Sequence, residues 1–183
     1  MDFITGFPLT VRQHDSIMVV VDKLTKASRF IPVNSTYKAD SIAKILTKEI
    51  LRLHGFSKAI ISERDTKFTS NFWKSIFVYL GTKLNFSTTY HPQTNGQIER
   101  VNQVLKDMIS MYVMEKPSKW EDYLHFVEFA YNNGQQASLG MSPYEALYGR
   151  RCRTPMTWDN LVNRIVLGPE LLNKMEQEVA NIK

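Results

Sequence analysis

Ile42-Ala43-Lys44-Ile45-Leu46-Thr47-Lys48-Glu49-Ile50-Leu51-Arg52-Leu53-His54-Gly55, followed closely by Lys58-Ala59-Ile60-Ile61-Ser62, is the stretch that decides the fold. In its first part Ile42, Ile45, Leu46, Ile50 and Leu53 recur at helical spacing as one apolar stripe, and Gly55 stands where a helix ends. Its second part is short, apolar and β-branched, the composition of a strand. Two strand-like runs precede the helix. Ile17 to Val21 is continuously apolar and suits burial on both faces, and Arg29 to Val33 carries Pro32, which points to an edge or a strand end. Met1 to Ile4 reads as the end of another strand, with Leu9 to Ser16 as a hairpin connection. Downstream, Phe72, Trp73, Ile76, Phe77 and Leu80 make a second helical stripe that stops at Gly81, and Lys83 to Ser87 reads as a further strand. Strands separated by amphipathic helices return in parallel, whereas the opening hairpins are antiparallel. The expectation is an α/β protein with a mixed five-stranded sheet flanked by helices.

The second half is helical. After a polar loop from Thr88 to Asn95, a long helix is expected from about Gly96 to Glu115. Ser118-Lys119-Trp120-Glu121 fits a capping box opening a helix to about Tyr131, whose Trp120, Tyr123, Leu124, Val127 and Tyr131 face a core. Ser142-Pro143-Tyr144-Glu145 is a second capping box, with proline at the first helical position, and Gly149 can close its helix. Residues 151–167 read as irregular and Pro169 to Lys183 as a final helix.

Composition narrows the function classes. With 183 residues and 43% hydrophobic content the chain can bury one sizeable core. No apolar run approaches the ~20 residues of a membrane span, so the chain is expected to be soluble and intracellular. A single cysteine, Cys152, excludes an internal disulfide framework, and four scattered histidines do not suggest a zinc site. A net charge of +5 is compatible with a polyanionic partner without demonstrating one.

Three acids fall where this layout could bring them together: Asp2 on the first strand, Glu63 directly after the strand ending at Ser62, and Glu99 in the first turn of the long helix. Carboxylate oxygens at strand ends suit hard divalent cations such as Mg²⁺ or Mn²⁺. Such places are also ordinary ones for acids, so spacing alone leaves both readings open. On the long helix Ile98, Val101, Leu105, Met108 and Tyr112 occupy one face, while Glu99, Gln103, Lys106 and Ser110 share another. That polar face suits a DNA-facing groove and suits plain solvation equally.

Six ordered blocks carry a resemblance: Met1-Asp2-Phe3-Ile4; Val20-Val21-Asp22-Lys23-Leu24-Thr25-Lys26; Glu63-Arg64-Asp65-Thr66-Lys67-Phe68-Thr69-Ser70; Tyr90-His91-Pro92-Gln93-Thr94-Asn95-Gly96-Gln97; Glu99-Arg100; and Met141-Ser142-Pro143-Tyr144-Glu145-Ala146-Leu147-Tyr148-Gly149. Together they resemble the integrase catalytic core of gypsy-type LTR retrotransposons, with plant members nearest, over residues 1 to about 155. The resemblance implies a ribonuclease H-like fold, with residues 156–183 as an irregular segment and C-terminal linker helix. It implies DNA integration as a polynucleotidyl transferase: trimming of element DNA ends, then strand transfer into double-stranded target DNA, in the nucleus and as a homo-oligomer.

The family's active site is two aspartates and a glutamate. Asp2 matches the first aspartate and Glu99 the glutamate. Residues 64–98, thirty-five in all, separate position 63 from Glu99 and reproduce the family spacing, but position 63 is Glu63 where the family has aspartate. The carry-over makes Asp2, Glu63 and Glu99 both catalytic and metal-binding, with two Mg²⁺ or Mn²⁺ ions when DNA is bound. Asp2 would bridge the ions, with Glu63 and Glu99 each completing one site. Asn95, Gln103 and Lys106 are the expected DNA contacts. Glu63 is one methylene longer than aspartate, and Mg²⁺ demands near-ideal geometry, so impaired activity is expected. The alternative is a catalytically silent DNA-binding or oligomerising module derived from an integrase. Asp22, Asp65 and His91 are not expected to be principal ligands, and Arg150, Arg151 and Arg153 form a basic cluster suited to phosphate or to solvent. Complete integrases of this kind carry an N-terminal zinc domain and often C-terminal modules, so the sequence, starting inside the first strand, reads as a fragment or a decayed copy.

Overall fold

The structure is a computed structural model that describes residues 1–55, 57–62, 73, 77–78, 81–86, 92–113 and 116–152. The chain divides into two compact units: Met1–Val21 with Ser28–Val127, and Asp22–Ala27 with the chain from Glu128 onward.

In the first unit β1 (Asp2–Ile4), β2 (Ser16–Val21) and β3 (Ser28–Val33) form an antiparallel ladder in the order β1-β2-β3. Asp2 pairs with Val19, and Ile17 pairs with Pro32. Pro32 is tolerated because β3 is the outer strand of this ladder, where a missing N–H can face away from the partner. Ile17, Met18 and Val19 are all fully buried although successive residues point to opposite sides, so both faces of β2 are covered, as its apolar run predicts. β4 (Ala59–Ser62) and β5 (Lys83–Phe86) form a parallel pair in the register Ala59–Lys83 to Ser62–Phe86. The five strands expected as one sheet are therefore two ladders. Their junction is marked by the Met1 ammonium, which donates to the Ile61 carbonyl at 2.7 Å.

α1 (Ala39–Leu46) runs through a π-helical turn, Thr47–Leu51, into a last α segment, Arg52–His54. Ile42, Leu46 and Ile50 bury into a cluster with Met1, Met18, Ile31, Val33, Trp73 and Phe77, the two aromatic rings stacked at 4.9 Å. Leu53, expected in this stripe, is exposed: the wider π turn rotates the turn that follows it off the stripe. Trp73 and Phe77 lie in helical conformation and are buried, while Phe72, Ile76 and Leu80 lie outside the described residues.

α2 (Pro92–Tyr112) buries Val101, Leu105 and Ile109. Ile98, Met108 and Tyr112, expected on the core face, are half-buried at its border, and Ile109 takes the central place. α3 (Trp120–Asn133) follows a short 3-10 turn, Pro117–Lys119, and buries Trp120, Leu124, Val127 and Tyr131. Tyr123 is half-buried and stacks on Tyr112 at 5.7 Å. The capping box expected at Ser118 is replaced by a different use of Glu121. Its carboxylate accepts from Thr10 Oγ1 at 2.7 Å and Arg12 Nη1 at 3.1 Å, with His14 Nδ1 also 3.1 Å away. Beside it Trp120 packs on Phe7 and donates to the Pro8 carbonyl at 2.8 Å, so the start of α3 fastens the β1–β2 connection.

This clasp sets an expectation for stability. Burial alone would raise the Glu121 pKa, but hydrogen bonds from Thr10, His14 and Arg12, together with the His14 charge, outweigh it and hold the carboxyl below its ordinary value of 4.5. A depressed carboxylate stabilises the fold fully above the unfolded-state pKa, and that contribution is lost as pH falls through the lower folded-state value. Glu121→Ala is expected to cost about 2–3 kcal/mol at neutral pH, measured by urea unfolding. The difference from the parent should shrink as the pH drops below 4.5. A constant difference down to full acid unfolding would show that the carboxylate charge is not what the clasp uses.

In the second unit α4 (Pro143–Tyr148) is capped as expected: the Ser142 hydroxyl accepts from the Glu145 N–H, and Gly149 closes the helix at φ 69°, a left-handed conformation suited to glycine. No described helix is long and apolar enough to cross a membrane.

Candidate metal centre and nucleic-acid face

Asp2 is the middle of the site. It sits at the start of β1 and is buried. Its Oδ1 accepts from the Phe3 N–H at 2.7 Å, and its Oδ2 accepts from Asn102 Nδ2, on α2, at 2.5 Å. The Met1 bond to Ile61 sets the same end of β1 beside β4, which ends at Ser62. Asn102 lies three residues after Glu99, so the α2 turn beside Asp2 is the one that follows Glu99. The structure thus brings together β1, the end of β4 and the middle of α2. Glu99 itself is exposed. Glu63, covalently next after Ser62, lies outside the described residues, as do Asp65 and His91.

Of the three expected acids, Asp2 is the one whose described surroundings suit a hard divalent cation. Among the described residues no lysine, arginine or histidine pairs with Asp2, and a buried carboxylate without a cation is costly. A carboxylate offers about four lone-pair directions, so its two hydrogen bonds leave capacity on both oxygens. Among the described residues no three His, Cys, Asp or Glu side chains cluster tightly enough to hold a metal, and the third expected acid is Glu63.

The polar face of α2 is as expected in its exposure: Glu99, Gln103, Lys106 and Ser110 are all open to solvent. Gln103 Nε2 donates to Asp107 Oδ1 at 2.9 Å, and the Ser110 hydroxyl bonds back to the Lys106 and Asp107 carbonyls, both at 2.9 Å. The Lys106 ammonium has no acidic partner among the described residues. Two expectations for this helix are corrected. It begins at Pro92, since proline lacks the N–H that a first helical residue would waste, and Gly96 is absorbed in its interior. Asn95 therefore has a helical backbone rather than a loop one, and Glu99 stands in the second turn, beyond the main reach of the helix dipole.

Asp22 is occupied elsewhere. Burial would raise its pKa, but the Thr25 N–H at 2.8 Å and hydroxyl at 2.7 Å hold it low, closing the Asp22–Ala27 turn. Arg150 and Arg151 are exposed, with Arg151 Nε 3.5 Å from Glu145; Arg153 lies outside the described residues. Sequence reasoning missed Asn102. Its signal was its position one turn after Glu99, a place from which a helical side chain reaches the same neighbour.

No family model matches the chain. The Transposon Tf2-3 polyprotein of Schizosaccharomyces pombe is 31% identical over 148 residues, which is 81% of this chain and 11% of that polyprotein; the Tf2-4 polyprotein matches to the same extent. The chain thus spans about a tenth of the length of the curated relatives it matches. Among solved structures, a chain of the simian T-cell lymphotropic virus intasome with PP2A regulatory subunit B56 gamma aligns with TM-score 0.65 and 14% identity, over 91% of this chain and 58% of that one. The HTLV-2 integrase catalytic core domain in complex with magnesium aligns with TM-score 0.59 and 14% identity, over 79% and 93%. The BIV integrase catalytic core domain gives 0.59 and 19%, over 79% and 91%. The fold is that of retroviral integrase catalytic cores, which is ribonuclease H-like.

Proposed function

We propose that this chain is the catalytic core of a retrotransposon integrase and joins element DNA ends to double-stranded target DNA by divalent-metal-assisted phosphoryl transfer. One observation carries the reading: a stretch 31% identical to a transposon polyprotein takes the fold of retroviral integrase cores. The six sequence blocks favour the gypsy type and a plant-like member, with residues 1–155 as the core and 156–183 as a linker. Homo-oligomers acting in the nucleus are the corresponding setting.

Asp2, Glu63 and Glu99 would hold the metal. Bound there, divalent ions would activate the attacking oxygen and stabilise the leaving one. The chain's own part is positional. The Phe3 amide and the Asn102 side chain fix the Asp2 carboxylate, and the packed α2 core holds the turn that bears Glu99. Lys106, with Gln103 and Asn95, would receive the phosphate backbone along α2. The reading is tested by incubating the chain with fluorescent element-end duplexes and plasmid target in Mg²⁺ or Mn²⁺, beside an RNA–DNA hybrid. Joined products support it. Hybrid cleavage without joining would assign a ribonuclease H-type hydrolase, and metal-independent DNA binding alone would assign a silent module.

Lys106→Ala is expected to weaken DNA binding irrespective of base sequence and to reduce the slope of log K against log salt by about one. Fluorescence anisotropy across a salt series measures it. An unchanged slope in a folded variant would leave Lys106 as a solvated side chain.

A further inference from the structure

We infer that the end of α4 binds an unpaired nucleic-acid strand, with one base stacked on Tyr148 and the neighbouring phosphates held by Arg150 and Arg151. The site belongs to the second unit and uses none of the residues of the α2 face or of the metal centre. Tyr148 is 57% exposed, more than any other phenylalanine, tyrosine or tryptophan among the described residues. It is also held in place. Tyr144, one turn earlier on α4, packs on it with ring centroids 4.6 Å apart, so a half-buried ring supports an exposed one. α4 itself is anchored at both ends. Just before it the Gln136 N–H donates to the Met141 carbonyl at 3.0 Å, the Ser142 hydroxyl caps its first turn, and Gly149 closes its last. An aromatic face on such a support loses little freedom when a flat partner covers it.

The charges follow the ring directly. Arg150 and Arg151 come after Gly149 and are both exposed. Cys152 is half-buried and hydrogen-bonded to the Asn133 side chain, which ties this short segment to the end of α3. Arg150 has no acidic partner among the described residues. The Arg151 side chain is 88% exposed and meets Glu145 at 3.5 Å, a surface bridge that phosphate can replace. These features select the ligand. Guanidiniums recognise phosphate and stay charged at any working pH. A tyrosine ring offers stacking to any base, but inside a duplex the base faces are already covered by their neighbours. A ring beside two cations therefore fits a strand whose bases are free. An acidic peptide would satisfy the arginines and leave the ring without a partner.

The test is fluorescence anisotropy of the 183-residue chain with labelled oligo-dT and oligo-rU of about 12 nucleotides and with a blunt hairpin duplex. The parent is compared with Tyr148→Leu, Tyr148→Phe and the double variant Arg150→Gln, Arg151→Gln. Tyr148→Leu keeps apolar bulk but loses the flat face, and should weaken binding of the single strands about 10-fold. Tyr148→Phe should stay within about twofold of the parent, and Tyr148→Leu should leave the duplex within about twofold. The arginine pair should flatten the single-strand salt slope by about 1.4, or ~0.7 per phosphate. Preference for one oligomer would identify DNA or RNA as the strand bound, and equal binding would mean that the site ignores the sugar; either supports the inference. A folded Tyr148→Leu that holds both single strands within about twofold of the parent, or that loses the duplex equally, overturns it. So does a parent with no affinity for either strand. If Tyr148→Leu does not fold, the arginine pair decides, and an unchanged salt slope overturns the inference. DNA joining depends on other residues, so each reading can fail alone.

Discussion

Asp2→Asn is expected to reduce metal-dependent joining of DNA ends by about 1,000-fold or more while costing the fold no more than one hydrogen bond, about 1 kcal/mol. The two effects have separate causes. Aspartate and asparagine have nearly the same volume, but the amide lacks the charge and one of the two oxygens that a hard cation needs. Charge stabilisation by bound metal is worth several kcal/mol, and about 4 kcal/mol of lost transition-state stabilisation is ~1,000-fold in rate. Folding feels two opposed changes. Removing the charge of buried Asp2, which has no lysine, arginine or histidine partner among the described residues, relieves a desolvation cost. Asparagine, however, keeps one oxygen for the two donors, the Phe3 N–H and Asn102 Nδ2, so one hydrogen bond is lost or rearranged. Strand-transfer rates and urea midpoints measured on the same two preparations separate the outcomes. Loss of activity together with a stability loss above about 3 kcal/mol would make Asp2 a structural residue.

Glu63→Asp is the second large effect, and it is expected as a gain. The charge is unchanged, so long-range attraction for metal and DNA stays the same, and what changes is reach. One methylene displaces a ligand oxygen by ~1 Å, and a misplacement of that size at a reacting centre can cost ~100-fold. Restoring aspartate should therefore raise Mg²⁺-dependent joining by up to ~100-fold, or roughly 2.7 kcal/mol of barrier. Stability should barely move, because the charge is kept and one methylene is all that the substitution removes. The smaller gain should be in Mn²⁺, the more tolerant ion, if geometry limits the parent. Equal activity of parent and variant in Mg²⁺ would mean that the chain after Ser62 adjusts to the longer side chain.

How much of this could be read from residues alone depended on whether one face or two decided a position. β2 announced itself because Ile17, Met18 and Val19 are apolar without alternation, and its two faces are both covered. The Ser142 cap was legible because serine, proline and glutamate act through neighbours in the chain. Features set by distant partners were not. Glu121 looked like half of a capping box, yet its carboxylate goes to Thr10, Arg12 and His14, more than a hundred residues away. The start of α2 was misplaced because Pro92 and Gly96 both read as loop punctuation, when proline at a first helical turn also starts a helix. Asn102 escaped for a geometric reason. At about 100° per residue it falls between the buried arc of Val101, Leu105 and Ile109 and the polar arc of Glu99, Lys106 and Ser110. A boundary position shows neither periodicity, and only the fold reveals that β1 lies against it.

The measurement that tests the metal centre most directly is anomalous scattering from crystals of the chain grown or soaked in Mn²⁺. The account predicts manganese within coordination distance of Asp2 and Glu99, with Glu63 as a further ligand and Asn102 still donating to Asp2. Crystals in which manganese avoids Asp2, with the Asp2 and Glu99 carboxylates directed to opposite sides of the sheet, would contradict it.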